Sequence, residues 1–520
     1  MSLEKRGEKN MKAYKTAIID IGSNSVRLVV YEIQEGYVYK EVQDVKMSLR
    51  LYQYLDEKGN LSNEGTKVLI ETLKVFGVII KSYESKKILA TATAVIRQAK
   101  NAANVLKEVE KETGFKIRLL SEKEEAAYGQ YAVARLTSIE EAYTVDMGGG
   151  STEVTYFKGN ELIYSHSFPF GVVALQEMFF AGKEPGDLEA MVETERFIKE
   201  QFATQDWLTK RNIPIVAIGG SSRNMASVHQ RMSAYPISGL HGYSMKLEDI
   251  KATKFYLASK SLEQLRDLDG LSKDRADIIV PATITFQTLY QTTAAEKMFF
   301  VTEGLREGLL IDMINQENPD AYPVSGIRRA AISHLLINYG IDEEKANQRL
   351  ARVQNILDLI VKEDLATASK QFNDYIYYAA MLYMVGSYVE AEDSSVHTFY
   401  LLANSNISGF THQQRVLIAL LASFKNKSLF TQYLAPFRSW FSDKELADIM
   451  RAGNLVRFCD QLNVVPVNKM LKSDLIKDGS KYRLKIKWKI TPVAEQSRAE
   501  RQKKRLEAVL GKKVTLDFHT

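Results

Sequence analysis

Two stretches of this chain carry the same polar pattern between apolar runs. AIIDIGSNSVRLVVYEI holds Asp20, Gly22, Ser23, Asn24, Ser25 and Arg27, and YTVDMGGGSTEVTYFKG holds Asp146, Gly148, Gly149, Gly150 and Ser151. Asp20 aligns with Asp146, Gly22 with Gly148 and Ser25 with Ser151, as in a duplicated strand–turn–strand unit. A glycine-rich turn between strands exposes several backbone N–H groups, and such nests bind phosphate oxygens. Glycine lets the backbone approach closely, and the hydroxyls of Ser23, Ser25, Ser151 and Thr152 add donors. A carboxylate at a strand end repels phosphate unless a hard divalent cation lies between them, since such cations take oxygen ligands. On this reading Asp20 serves metal or water, the turn serves phosphate, and Arg27 reaches phosphate oxygens. The plainer alternatives are an Asx turn at Asp20 and a surface ion pair at Arg27.

Four further stretches could join that chemistry. In AIGGSSRNM, Gly219, Gly220 and Ser221 lead from a strand into a helix whose N-terminus favours anions. In LLSEKEEAAYGQYAV, Glu124 and Glu125 open a helix. They either compensate its dipole, or one of them points into a phosphate cleft and orients or deprotonates water. In ATATAVIRQAKNA, Arg97 follows a strand-end run of small residues, where it either binds a phosphoryl oxygen or begins an ordinary amphipathic helix. VTEGLREGLL gathers Glu303, Gly304, Arg306, Glu307 and Gly308 at a helix start or tight turn.

The surrounding periodicities predict the scaffold. Residues 16–34 read as two strands about a tight turn, and SNEGTKVLIETLKVFGVIIKSYES as a helix capped by Ser62 or Asn63. Strands and helices alternate from there, which predicts an α/β layered domain, and a second unit begins near Glu141. Residues 324–438 are helical in period, with YIYYAAMLYMVGSYV as a buried helix; mixed α/β texture returns near Ser442. In KYRLKIKWKIT, Lys481, Arg483, Lys485, Lys487 and Lys489 alternate with apolar residues, giving a strand with one basic face. That face either holds a polyanion or is the solvated side of an edge strand guarded by lysines.

Bulk properties narrow the classes. The 520 residues suggest three or four domains. A net charge of +5 means that anion binding must come from local patches. Cys459 is the only cysteine, so no intrachain disulfide forms, which fits a reducing compartment. No apolar run is long enough to span a membrane, and MSLEKRGEKNMKAYK lacks a signal-peptide core, with Met11 a natural start. The cytoplasm is the expected location. The seven histidines form no zinc-hydrolase pair, and neither the P-loop nor the dinucleotide fingerprint occurs.

Taken together, DIGSNSVRL, ATATAVIRQAKNA, SEKEEA, VDMGGGSTEV, FPFGVV, AIGGSSRNMA, LHGYSM, DRADIIVPA and TEGLREG resemble, in order, the motifs of the exopolyphosphatase / guanosine pentaphosphatase (Ppx/GppA) phosphatases. The resemblance is closest to a long-form exopolyphosphatase. It implies two α/β domains of the actin-like (ribonuclease H-like) ATPase superfold, at 1–140 and 141–318, with a phosphate cleft between them. An all-α HD-like domain at 319–440 and a small α/β domain at 441–520 would follow. It also implies that Glu125 is catalytic, that Asp20, Asp146 and Glu153 serve a Mg²⁺ or similar cation, and that the turns with Arg27 and Arg97 bind phosphate. Where relatives carry a His–Glu pair in the helical domain, this chain has Tyr383 and Met384, so a second hydrolase site is not expected. Tyr52 and Glu122 stand where glycines are usual, and Pro281 where a small residue is, which bears on loop shape and substrate preference.

The expected activity is metal-dependent, processive removal of terminal phosphate from inorganic polyphosphate. The rivals are conversion of guanosine pentaphosphate (pppGpp) to ppGpp and a non-catalytic alarmone sensor, which retention of Glu125 argues against. A sugar kinase or chaperone-type ATPase finds no adenosine pocket or acceptor site in the sequence. No DNA partner is expected, and family habit implies a homodimer.

Overall fold

Alternating apolar residues in β1 (Tyr14–Ile21) decide how the first sheet is covered. Ala17, Ile19 and Ile21 join Leu28 and Val30 of β2 (Val26–Ile33) in a core with Leu69, Leu73 and Phe76 of the helix Asn63–Ser82. Ile18, Val29 and Tyr31 face the other way, onto Leu310, Ile311 and Ile314 of the helix Leu305–Glu317. The sheet is completed by β3 (Tyr39–Met47), β4 (Lys87–Ala92) and β5 (Ile117–Leu119), in the order β3-β2-β1-β4-β5. The first three strands form an antiparallel meander, and β4 and β5 run parallel to β1.

The computed structural model describes residues 12–363, 370–465 and 468–520; Met11 and the polar stretch before it lie outside these. The second sheet repeats the plan of the first. The meander β6 (Glu141–Met147), β7 (Thr152–Lys158) and β8 (Glu161–Phe168) is followed by β9 (Ile215–Ile218), parallel to β6, and β11 (Met298–Phe300), parallel to β9. β10 (Tyr243–Met245) is added antiparallel at the edge. The order β8-β7-β6-β9-β11 thus matches that of the first sheet, the arrangement expected of the actin-like superfold.

Two helices bring the cleft residues together. Glu122–Leu136 packs Val133 against Ala142, Phe157 and Val216 of the second sheet, while its Leu136 joins the core of Ile18 and Val29 from the first. Leu305–Glu317 crosses it at Gly308, where a methyl group would lie 2.1 Å from the Tyr128 carbonyl oxygen. Only glycine permits that approach, and it fixes the N-terminal ends of both helices relative to each other.

The chain divides into two units, up to Ile327 and from Arg328 to Thr520. The second holds helices including Glu343–Lys362, Lys370–Met381, His412–Ala422 and Asp443–Gln461. Lys370–Met381 buries Tyr375, Ile376, Ala379 and Ala380. The Tyr383 hydroxyl donates to the Phe424 carbonyl at 3.1 Å, and the Arg349 guanidinium, paired with Asp460 at 3.0 Å, lies over its ring.

A three-stranded sheet closes the second unit: β12 (Met470–Asp478), β13 (Lys481–Trp488) and β14 (Val514–His519). The basic strand β13 is its centre, so the alternative of an edge strand is corrected. Its lysines guard no edge. Asp478 pairs with Arg483 at 2.6 Å, and Asp474 and Asp517 stand opposite Lys485 from the two neighbouring strands. The basic alternation read along one strand is therefore interleaved with carboxylates across the sheet. Among the described residues no helix is long and apolar enough to cross a membrane.

Candidate active site

Both glycine turns close in the same way. The Gly22 N–H donates to the Ser25 carbonyl at 3.1 Å, and the Gly148 N–H to the Ser151 carbonyl at 2.9 Å. A backing segment then ties up the carbonyls of each turn. Arg50 and Tyr52 N–H groups bond Asn24 and Ser23; Val172 and Val173 N–H groups bond Gly148 and Gly149. Because C=O and the following N–H point oppositely across a planar peptide, this turns the amide donors of both hairpins the other way. The turns also touch. A methyl group on Gly149 would lie 3.4 Å from Ser23 Cβ and 3.7 Å from Asn24 Cβ. The two hairpins are neighbours and line one cleft of about 400 Å³.

Strand register sets the charges on each side. Asp20, Arg27 and Lys46 are cross-strand partners in one row of the first sheet. Asp146, Glu153 and Ser167 form the equivalent row of the second. The duplicated plan thus places Arg27 where its counterpart has Glu153, so the first wall adds cations and the second carboxylates. Gly219, at φ +90°, lies so close to Asp146 that a methyl group would stand 2.6 Å from its Oδ1. Gly220 follows at the start of the helix Gly219–Met232 and also lines the cleft.

The two adjacent glutamates part company. Ser121 and Glu124 form a capping box, and the Ser121 backbone and hydroxyl bonds, with Arg118, hold Glu124 down to about 2. Glu125 enters the cleft, its side chain 17% exposed. Burial first, then the charge of Glu153, push it up to about 8 against the pull of Arg97. Burial likewise raises Glu153 to about 7 and Asp146 to about 6. Asp20 is also raised by burial, opposed by Arg306 and Arg27.

Of the residues expected at the site, Asp20, Gly22, Ser23, Asn24, Ser25, Arg27, Glu125, Asp146, Gly148, Gly149, Ser151, Glu153, Gly219 and Gly220 line the cleft. Arg97, Gly150 and Ser221 are not among its lining residues. Arg97 stands behind Glu125, donating to the Leu120 carbonyl and the Glu125 carboxylate, each at 2.9 Å. The Ser221 hydroxyl accepts from Arg275 at 3.0 Å. Gly150 is turned toward the Ser23 hydroxyl. Arg27 lines the cleft, but its guanidinium fork is engaged by Asp44.

Lys46, Arg223, Arg275 and Arg306 also line the cleft, from four separate elements. Arg223 lies in the first turn after Gly219, a placement readable from AIGGSSRNM; Lys46 carries no comparable local signal. Arg223 braces the Gly219 carbonyl at 3.0 Å. Arg306 is half-buried and charged beside Glu307, and its Nη1, itself buried, has no hydrogen-bond partner. Such a donor suits an anion entering the cleft.

The cation expectation can be tested on the donors. Asp20, Asp146 and Glu153 offer only carboxylate oxygens, all of them raised by burial, which suits a hard divalent ion. Among the described residues no three His, Cys, Asp or Glu side chains gather closely enough to hold a metal by themselves. That fits Mg²⁺, which commonly uses one or two carboxylates and completes its shell with water and substrate phosphate.

An α/β cleft built from twin glycine hairpins, lined by a half-buried glutamate and half-buried arginines, defines a phosphate-binding hydrolase site. The Ppx/GppA phosphatase family profile matches residues 29–317, and the profile of Ppx/GppA phosphatase domain III matches 327–491. The chain belongs to the Ppx/GppA phosphatase family. It is 28% identical to the Aquifex aeolicus family member, covering 59% of this chain and 99% of that one at a TM-score of 0.52. An exopolyphosphatase from Cytophaga hutchinsonii shares the fold at 20% identity and TM-score 0.54, over 58% of this chain and 98% of that one.

Proposed function

We propose that this phosphatase is an exopolyphosphatase, removing the terminal phosphoryl group of inorganic polyphosphate as orthophosphate. The observation that carries the reading is the contact of the two glycine turns on one cleft, which Glu125 and Arg306, with its unpartnered Nη1, also line. No residue lining that cleft is aromatic, so it offers charge and hydrogen bonds to a phosphate chain and no stacking surface to a base.

The hairpin amides cradle the terminal phosphoryl group, and Arg223, Arg275 and Arg306 balance its charge. Glu125, held by Arg97, orients a water molecule and takes its proton as the water oxygen bonds to phosphorus. The bridging P–O bond breaks, and the shortened chain leaves with the electron pair on its terminal oxygen. Phosphoryl transfer depends mainly on such positioning and charge stabilisation. One or two of Asp20, Asp146 and Glu153, together with water and substrate phosphate, would hold a divalent cation, which when bound supplies positive charge to phosphate oxygens.

One observation favours guanosine pentaphosphate as a second reading. A pocket of about 220 Å³ adjoins the cleft at Asn24, with Tyr52, Arg50 and Asp277 in its walls. Orthophosphate release from long polyphosphate, guanosine pentaphosphate and ATP, with and without Mg²⁺, decides between them. Turnover of pentaphosphate alone would overturn the polyphosphate reading.

A further inference from the structure

Arg27 and Lys46 face each other directly across β2 and β3, an arrangement of like charges that costs stability unless anions intervene. Two aspartates do so. Asp44, two residues before Lys46 on β3, closes both ends of the Arg27 guanidinium fork. Asp274 reaches Lys46 from the other half of the α/β unit, Nζ to Oδ2 at 2.6 Å. It sits on the single turn Lys273–Arg275, beside the cleft arginine Arg275.

The two pairs differ in how readily they exchange partners. Arg27 is held by a bidentate contact whose geometry is fixed. Lys46 makes a point contact, with its side chain 34% exposed and that of Asp274 30% exposed. Part-exposed pairs of this kind contribute little stability, and a polyanion can displace one partner. Lys46 also lines the cleft, whereas Asp274 lines the adjoining pocket. The bridge therefore stands between the two.

We propose that Lys46 is the rim cation that takes hold of an incoming phosphate chain, and that Asp274 occupies it as a resident anion until the chain displaces it. This rests on the polyphosphate reading. The pair then sets affinity for the chain, and Asp274 acts as a competitor for its own enzyme's substrate.

The test compares Lys46→Gln with Asp274→Asn. Each breaks the same bridge, so a mere brace between the halves would shift KM the same way in both. The proposal requires opposite directions: KM for polyphosphate rises about tenfold in Lys46→Gln, the scale of one charge-assisted contact, and falls about threefold in Asp274→Asn. Lys46→Arg should stay within about threefold of the parent. The Kd for tripolyphosphate with Mg²⁺, measured by titration calorimetry, should follow the same signs. Shifts in one direction, or none in either variant, overturn the proposal. If the parent enzyme cleaves only guanosine pentaphosphate, the polyphosphate reading fails, while the two variants read on pentaphosphate still decide the role of Lys46.

Discussion

Replacing Glu125 by glutamine separates its two properties, catalysis and buried charge. A general base typically contributes about 10²- to 10⁴-fold, so Glu125→Gln should lose that much in kcat, or about 3–5 kcal/mol of barrier. The same change should stabilise the fold, by an amount that depends on pH. Burial and Glu153 raise the Glu125 carboxyl from 4.5 to about 8. A raised carboxyl binds its proton more tightly folded than unfolded, so stability falls as pH rises through that window and levels off above it. Burying Glu125 costs ~2 kcal/mol at pH 6, where it takes up a proton on folding (about 1.5 pH units × 1.36), and ~5 kcal/mol at pH 9, where it is ionised in place. Glutamine avoids both, so its stability advantage should widen by about 3 kcal/mol between those pH values, or several degrees in Tm. Orthophosphate release and thermal unfolding at pH 6 and pH 9 measure the two effects. Undiminished turnover would remove Glu125 from the reaction. An equal stability difference at both pH values would refute the buried-charge argument.

Further outcomes follow from the same geometry. The kcat/KM of the parent should rise with pH and level off above about pH 8, because the base must be ionised, with Glu125 and Glu153 titrating as a pair; a profile flat from pH 6 to 9 would contradict this. Arg97→Gln removes a charge that favours the ionised Glu125, so its limb should move to higher pH while kcat at pH 7 falls about 10- to 100-fold; an unmoved limb would leave Arg97 without that role. Gly308→Ala puts a methyl group against the Tyr128 backbone, which cannot swing aside, and should cost about 3 kcal/mol in chemical denaturation. Gly219→Ala meets both a positive φ and the Asp146 carboxylate, and should abolish turnover even where the protein folds, as circular dichroism beside the assay would show.

Features local to a short stretch were legible from the sequence. The hairpins are contiguous, so Asp, Gly and Ser in register announced both turns, and their matching hydrogen bonds bear out the alignment. The split between Glu124 and Glu125 was also within reach, because Ser121 and Glu124 spell a capping box that assigns Glu124 to the helix end. What stayed hidden depends on convergence. Arg223 and Arg306 lie in stretches that stand out by themselves, but only the fold brings them to one cleft with Lys46 and Arg275, which come from two other elements. Arg97 shows the same dependence on the fold: its spacing leaves phosphate binding or an ordinary helix start open, and only the fold sets its Nη1 against Glu125. The edge reading of the basic strand failed for a related reason, since its neighbours β12 and β14, with their aspartates, come from outside its own stretch.

A crystal structure of Glu125→Gln with long-chain polyphosphate and Mg²⁺ tests the central claim most directly. The terminal phosphorus should lie between the Gly22–Asn24 and Gly148–Gly149 turns, with residue 125 facing it and the chain leading out past Lys46. A chain bound with its end elsewhere, for instance along the basic face of β13, would contradict the account.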